Sequence, residues 1–332
     1  MNIAINGFGR IGRQAFKIAF GRNGLNIVAI NDLTDPKTLA HLLKHDTSYH
    51  EWARTVSFDE KNIIIDNKKI PVFAEKDPSA LPWKKMKVDV VLECTGKFTK
   101  REGAELHLKA GARKVILSAP GKSGDIPTYV RGVNCGAAPK EKSAIINNAS
   151  CTTNCIAPVM AVLEEKFGVK KAMMTTTHGY TADQNLQDGP HKDLRRARAA
   201  AANIVPTTTG AAKATTEVIP SLKGVFDGLA VRVPVLTVSL ADITAILKKK
   251  VTKEEINQAL VVASKTPRFK NILLTTEEEL VSSDFTGNPY SAIVDLKLTN
   301  VVDGDLVKVV AWYDNEMGYS YRLIEMAEIF GG

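Results

Sequence analysis

The densest group of side chains with chemical potential in this chain is Asn148-Ala-Ser-Cys-Thr-Thr-Asn-Cys155. A strand-like run, Ser143 to Asn147, comes before it. A helix-like run through Val159, Val162 and Leu163 to Gly168 follows. Cys151 is therefore expected at or near a helix N-terminus, where the thiol pKa falls and the thiolate is favoured. Pro158 is tolerable in the early turns if that helix starts near Thr153. Cys155, one turn deeper, reads as packing. A lone cysteine is often an inert buried residue, so Cys151 needs a partner. His178 closes the β-rich run Met173-Met-Thr-Thr-Thr-His178. A Cys–His pair activates the thiol and supplies general acid–base catalysis. Papain-like hydrolysis uses the same pair, so the reaction stays open at this point.

Three further groups suit anions. Pro190-His-Lys-Asp-Leu-Arg-Arg-Ala-Arg198 is a compact basic stretch. Thr207-Thr-Thr-Gly-Ala-Ala-Lys213 places hydroxyls and a glycine at the start of a helix-like run, a setting that binds phosphate. Arg232 lies inside the apolar strand run Leu229 to Pro234, where a guanidinium needs an anionic partner. Each has a bland reading as a solvated face or a structural ion pair. Together, beside a thiol, they favour a phosphorylated substrate.

The elements that must carry these groups begin with a dinucleotide fingerprint. An apolar run over residues 2–6 ends at Gly7, and Gly7-Phe-Gly-Arg-Ile-Gly12 opens a helix-like stretch to about Gly24. Gly7 permits the tight turn, Gly9 admits a pyrophosphate to the backbone, and Gly12 lets the helix lie close to the strand. A second strand over Asn26 to Ile30 ends at Asn31-Asp32. Asp32 stands at the distance expected for a carboxylate that binds a ribose hydroxyl and repels a 2′-phosphate, which favours NAD over NADP. Strand runs from Val88 and from Lys114, separated by a helix over 99–110 that Gly111 ends, extend the alternation. Alternating strands and helices predict an α/β fold with a doubly wound parallel sheet.

Composition narrows the classes. The 332 residues suggest two domains, and the 44 % hydrophobic and 24 % charged contents are ordinary for a globular protein. No run reaches the length of a membrane span. The first residues enter a strand pattern directly, which leaves no room for a signal peptide. The cysteines, at 94, 135, 151 and 155, form no Cys-x-x-Cys pair, so no metal site is read, and a reducing, cytoplasmic setting is expected. The net charge of +8 fits a solvated surface, anionic small molecules or nucleic acid. No nucleic-acid-binding signature accompanies it, so phosphorylated ligands are preferred.

The motifs Ile5-Asn-Gly-Phe-Gly-Arg-Ile-Gly-Arg13, Ser150-Cys-Thr-Thr-Asn154, Pro190 to Arg198, Pro206 to Lys213 and Trp312-Tyr-Asp-Asn-Glu316 run in order over essentially the whole chain. By them the sequence resembles the bacterial-type glyceraldehyde-3-phosphate dehydrogenase family. That resemblance implies Cys151 as nucleophile and His178 as base. It implies anion sites at Thr181, Arg196, Thr209, Gly210 and Arg232, with Ser150 and Thr152 flanking the nucleophile. Cofactor contacts fall at Gly7, Gly9, Arg10, Ile11, Gly12, Asp32, Lys76, Ser118 and Asn315. The implied reaction is NAD-dependent phosphorylating oxidation of glyceraldehyde 3-phosphate. The implied architecture is a Rossmann-type domain over 1–149, completed by a C-terminal helix over 316–332, and an α+β catalytic domain over 150–315 with a mixed, largely antiparallel sheet. A homotetramer is implied as well. Gly189 stands where many bacterial members carry leucine. The rival readings are an erythrose-4-phosphate dehydrogenase and a nucleic-acid-binding protein that retains the fold.

Overall fold

The computed structural model describes residues 1–136 and 143–332. The chain divides into two compact units. One holds Met1–Tyr129, 143–149 and Ser320–Gly332; the other holds Val130–Gly136 and Ser150–Tyr319.

The first unit begins with β1 (Asn2–Asn6), α1 (Arg10–Ala19), β2 (Asn26–Asn31) and α2 (Pro36–Lys44). A small hairpin, β3 (His45–Asp46) and β4 (His50–Glu51), leads to a meander of β5 (Val56–Phe58), β6 (Asn62–Ile65) and β7 (Lys68–Phe73). Then come β8 (Val90–Glu93), α3 (Arg101–Lys109), β9 (Lys114–Leu117) and β10 (Ile145–Asn147). The sheet order is β10-β9-β8-β1-β2-β7-β6-β5. From β10 to β7 every pairing is parallel; β6 and β5 add antiparallel strands at one edge. All four residues of β8 and four of the five in β1 are buried. Such continuous apolar runs mark strands covered on both faces. Trp83, fully buried, joins Ala4, Ala29, Val91, Val115 and Leu117 in the core beneath. The chain leaves β1 towards β2 and later returns on its other side as β8, so the topological switch point lies between β1 and β8.

Helix α1 stops at Ala19, short of Gly24, because Gly21 and Gly24 both take left-handed backbone (φ +81° each) that a helix cannot continue. Helix α3 is likewise shorter than its sequence pattern, and Gly111 (φ +100°) follows its end.

The second unit opens with α4 (Cys151–Phe167), then β11 (Val169–Gly179), β12 (Val205–Thr207) and α5 (Ala211–Val218). It continues through β13 (Phe226–Val233), β14 (Ser239–Leu247), α6 (Lys253–Ser264), β15 (Leu273–Thr276), β16 (Ala292–Asp295), β17 (Asn300–Val302) and β18 (Leu306–Tyr313). The sheet order is β12-β13-β11-β14-β18-β16-β15, with β17 beside β18. Only β11–β13 and β15–β16 are parallel, so the sheet is mixed and largely antiparallel. In β14, buried and half-buried residues alternate along all nine positions, the pattern of a strand with one face on the core. Helix α4 is buried from Thr152 to Leu163, as a helix inside a large unit must be. The final helix, α7 (Met317–Gly331), belongs to the first unit from Ser320 onward.

Candidate active site

The reactive cysteine owes its place to a cap. Ser150 is the N-cap of α4, and its Oγ accepts from the Thr153 N–H at 3.1 Å. This bond satisfies one of the helix's orphan donors and starts the helix at Cys151, two residues before Thr153. Pro158 therefore falls deeper than an early turn. It is the eighth helical residue, where its missing N–H removes one intrahelical bond. Just upstream the backbone turns sharply at Ala149, which has φ +54°.

The base arrives by strand register. His178 lies at the end of β11 directly opposite Arg232 on the parallel neighbour β13. Its Nε2 is 3.5 Å from Cys151 Sγ. Its Nδ1 is 2.6 Å from the Gly179 carbonyl, and Arg232 Nη1 lies 2.9 Å from Nδ1 and 3.1 Å from the same carbonyl. Because a carbonyl oxygen only accepts, the shorter contact, to Gly179, assigns the proton to Nδ1, and Arg232 donates to the same carbonyl rather than to the ring. Nε2 then presents a lone pair to the thiol, the tautomer a base needs.

Electrostatics keep this imidazole neutral. Burial, then the positive charge of Arg232, push His178 down to about 3. For the thiol the two effects oppose. Burial pushes Cys151 up, and Arg232 pulls it down as the next influence. The low pKa expected from helix position alone is thus opposed by desolvation. This pair therefore reads as thiol and neutral imidazole.

A third side chain frames the pair. The Tyr313 hydroxyl lies 2.9 Å from Thr152 Oγ1 and 2.7 Å from Thr176 Oγ1, and its ring meets that of His178 edge-on at 6.0 Å. Sequence reasoning assigned Tyr313 no role. In a strand pattern it is one more buried position of β18, and nothing in its spacing distinguishes it.

The anion groups are placed as follows. Arg232 is in the site by direct contact with His178. Arg196 donates from Nε to Thr207 Oγ1 at 2.9 Å, from Nη2 to the Thr208 carbonyl at 3.3 Å, and from Nη1 to Asp183. Asp193 stands 3.5 Å from its Nε. Arg196 thus faces two carboxylates, Asp183 and Asp193, which sequence reasoning also missed. Arg196 and Asp183 are both near enough to act on Arg232 electrostatically. Gly210 is the N-cap of α5, with no side chain capping it, and Thr209 Oγ1 accepts from Ala211 N–H at 3.2 Å. Thr181 begins the turn that Gln184 closes, its N–H donating to Gln184 Oε1 at 3.3 Å. Asn315 follows β18; its Oδ1 accepts from Ser239 Oγ at 3.0 Å.

In the first unit the expected cofactor positions gather at the carboxyl ends of parallel strands. Gly7 (φ +92°) donates its N–H to the Asn31 carbonyl at 2.8 Å. Gly9 is the N-cap of α1, and a methyl group added there would meet no atom within 4 Å. That open space above a helix N-terminus fits a pyrophosphate. A methyl on Gly12 would instead lie 2.1 Å from the Gly7 carbonyl oxygen. Asp32 takes the Phe8 N–H on Oδ2 at 2.7 Å and the Thr34 N–H on Oδ1 at 3.0 Å. Arg10 is bound to Asp46 at 2.6 Å and covers the Tyr49 ring; Ile11 beside it is half-buried. Lys76 is exposed after β7, and Ser118 follows β9 with its N–H on the Glu93 carbonyl at 3.0 Å.

Comparison with known proteins bears on both units. Residues 1–101 match the model of the glyceraldehyde 3-phosphate dehydrogenase NAD binding domain, and residues 150–315 match that of its C-terminal domain. Proteins named glyceraldehyde-3-phosphate dehydrogenase are similar over nearly the full length. One from Geobacillus stearothermophilus is 52 % identical over 98 % of this chain and 97 % of its own. One from Borreliella burgdorferi is 53 % identical over 99 % of each. A third, from Streptomyces coelicolor, is 51 % identical over 100 % of this chain and 98 % of its own. With a Cys–His pair at a helix start in one unit, a glycine-turn sheet in the other, and relatives of this kind, the chain belongs to the glyceraldehyde-3-phosphate dehydrogenase family.

Proposed function

We propose that the protein is an NAD-dependent, phosphorylating aldehyde dehydrogenase that converts D-glyceraldehyde 3-phosphate and phosphate to 1,3-bisphosphoglycerate in glycolysis and gluconeogenesis. The observation that carries the chemistry is Cys151 Sγ at 3.5 Å from His178 Nε2 on the first residue of a capped helix. Family membership supplies the substrate. Relatives named for the triose do not favour an erythrose-4-phosphate dehydrogenase or a nucleic-acid-binding role.

The chain's own groups divide the work. Cys151 gives its proton to His178 and attacks the aldehyde, forming a C–S bond. Protonated His178 returns that proton to the oxygen, which leaves a thiohemiacetal. His178 then takes the hydroxyl proton while the carbon loses hydride, and a thioester remains on Cys151. Bound NAD supplies the hydride acceptor. Phosphate attacks the thioester, the C–S bond breaks, and the acyl phosphate leaves a regenerated thiolate. The Cys151 N–H and protonated His178 steady the oxyanion in both addition steps. Thr181, Arg196, Thr209, Gly210 and Arg232 hold the two phosphates, and Ser150 and Thr152 border the reacting carbon. Gly7, Gly9, Arg10, Ile11, Gly12, Asp32, Lys76 and Ser118 would hold the dinucleotide, and Asn315 would bind its nicotinamide amide. With its Oδ1 held by Ser239, Asn315 has its amide N–H pair to offer.

The proposal extends to a cytoplasmic homotetramer. Four free cysteines and the lack, among the described residues, of a helix long and apolar enough to cross a membrane support the compartment. Leu186, Leu194 and Ile204 are each more than two-thirds exposed, and burying such side chains between copies would favour self-association. Purified protein should reduce NAD when given the triose phosphate and inorganic phosphate, prefer it to erythrose 4-phosphate, and prefer NAD to NADP. Cys151→Ser should abolish the reaction; appreciable phosphorylating turnover in that variant would refute covalent catalysis.

A further inference from the structure

A buried polar network inside the first unit plays no part in the mechanism above. Glu93, at the end of β8, is its hub. Oε1 accepts from the Thr95 N–H at 2.8 Å and from the Thr95 hydroxyl. Oε2 accepts from Asn6 Nδ2 at 2.5 Å and faces His107 Nε2 at 3.1 Å. His107 Nδ1 in turn lies 3.1 Å from Trp83 Nε1. An indole N–H can only donate, so Nδ1 carries no proton and the His107 proton points at Glu93. Asn6 passes the network on. Its Oδ1 accepts from Asn31 Nδ2 at 2.7 Å, and Asn31 is paired both ways with the Glu75 backbone, at 3.0 and 2.9 Å. Glu93, His107, Asn6 and Asn31 are all at least 95 % buried.

Burying a carboxylate is costly unless donors surround it. Here the donors come from segments that reach the ligand side of the sheet. Thr95 anchors the turn that receives the Lys97 N–H at 3.1 Å. Asn31 accepts the Gly7 N–H on its carbonyl and fixes Glu75 next to Lys76. Gly7 and Thr95 also touch directly: a methyl on Gly7 would lie 2.7 Å from the Thr95 nitrogen. The hub thus sits under the β1–β8 switch point, where ligands of such sheets bind.

We propose that Glu93 and His107 are positioning residues for the dinucleotide: they hold the Gly7 and Thr95 turns and the Lys76 segment in the geometry that receives it, without touching it. The inference rests on the NAD-binding reading of this unit. Its chemistry is specific. A glutamine at 93 keeps the shape but sets an NH2 against either the Thr95 donors or those of Asn6 and His107. A buried donor left unpaired is costly, so one turn must move. At 107, glutamine can still donate to Glu93 and accept from Trp83, whereas leucine can do neither.

The test is NAD titration by calorimetry on wild-type protein and on Glu93→Gln, His107→Leu and His107→Gln, with steady-state kinetics and thermal melts alongside. Glu93→Gln and His107→Leu should raise the NAD Kd by about tenfold or more, since 1.4 kcal/mol is a factor of ten. KM for the aldehyde and the Cys151 alkylation rate should stay within about twofold. His107→Gln should bind NAD within about threefold of wild type. If Glu93→Gln and His107→Leu melt lower yet bind NAD like wild type, the pair is merely structural and the proposal fails. It fails too if His107→Gln is as impaired as His107→Leu. Should Glu93→Gln not fold, the two His107 variants decide alone. Wild-type protein that does not bind NAD would overturn the NAD-binding reading instead.

Discussion

The two units build their sites from different material. In the first, the groups facing the ligand side are largely backbone: the Gly7 turn, the N-terminus of α1 and the strand ends held by Glu93 and Asn31. In the second, they are side chains carried from distant parts of the chain. Cys151 comes from a helix start, His178 from the end of β11 and Arg232 from its parallel neighbour. A backbone site is set by where glycine is required. A side-chain site is set by register. The two should therefore fail differently when single residues are changed.

The largest effect belongs to the side-chain site. His178→Asn should lower turnover by roughly 10²–10⁴-fold, the usual worth of a positioned acid–base group, with folding and NAD affinity kept. Pre-steady-state measurement of NADH formation would show whether the loss lies in the oxidation step. A loss of less than about tenfold would mean that the 3.5 Å contact with Cys151 is not an acid–base pair.

The backbone site should break by sterics. Gly12→Ala puts a methyl 2.1 Å from the Gly7 carbonyl oxygen, so α1 must move away from β1. Overpacking of this kind costs about 1–3 kcal/mol, readable as a lowered urea midpoint. Gly9→Ala meets open space and should fold as wild type while binding NAD more weakly, because its methyl occupies the pyrophosphate's approach. If Gly9→Ala bound NAD normally, the open space over α1 would not be the phosphate site.

The same contrast explains what could be read in advance. The glycine spacing, Asp32 and the alternation of strands and helices are local patterns, and the first sheet follows from them. The Cys151 helix was legible, but its start was misplaced by two residues because the Ser150 cap outweighed the tolerance of Pro158 for an early turn. His178 and Arg232 could be nominated by type. Their meeting depends on a parallel pairing between strands more than fifty residues apart, which periodicity does not encode. Tyr313, Asp183 and the Glu93–His107 hub were invisible for the same reason. Each is defined by a partner far away in sequence, and each looks locally like an ordinary buried or loop residue.

The smallest effect concerns pH and separates the histidine from its surroundings. Burial and Arg232 hold His178 near 3 in the folded chain, against 6.5 ordinarily. The folded state therefore refuses a proton that the unfolded chain accepts. The sign follows: the stability linked to neutral His178 is fully present above pH 6.5 and is lost as pH falls from there towards about 3. The slope approaches at most about 1.4 kcal/mol per pH unit. Urea midpoints of wild type and His178→Asn, compared between neutral pH and moderate acid, isolate this contribution, because all other titrating groups are common to both. The wild type should lose stability faster on acidification. Arg232→Met should fall between them, since removing the charge raises the folded pKa of His178 and narrows the window while burial still depresses it. A wild-type curve parallel to that of His178→Asn would mean that His178 takes up a proton in the fold as readily as in the unfolded chain, and that burial and Arg232 do not depress its pKa.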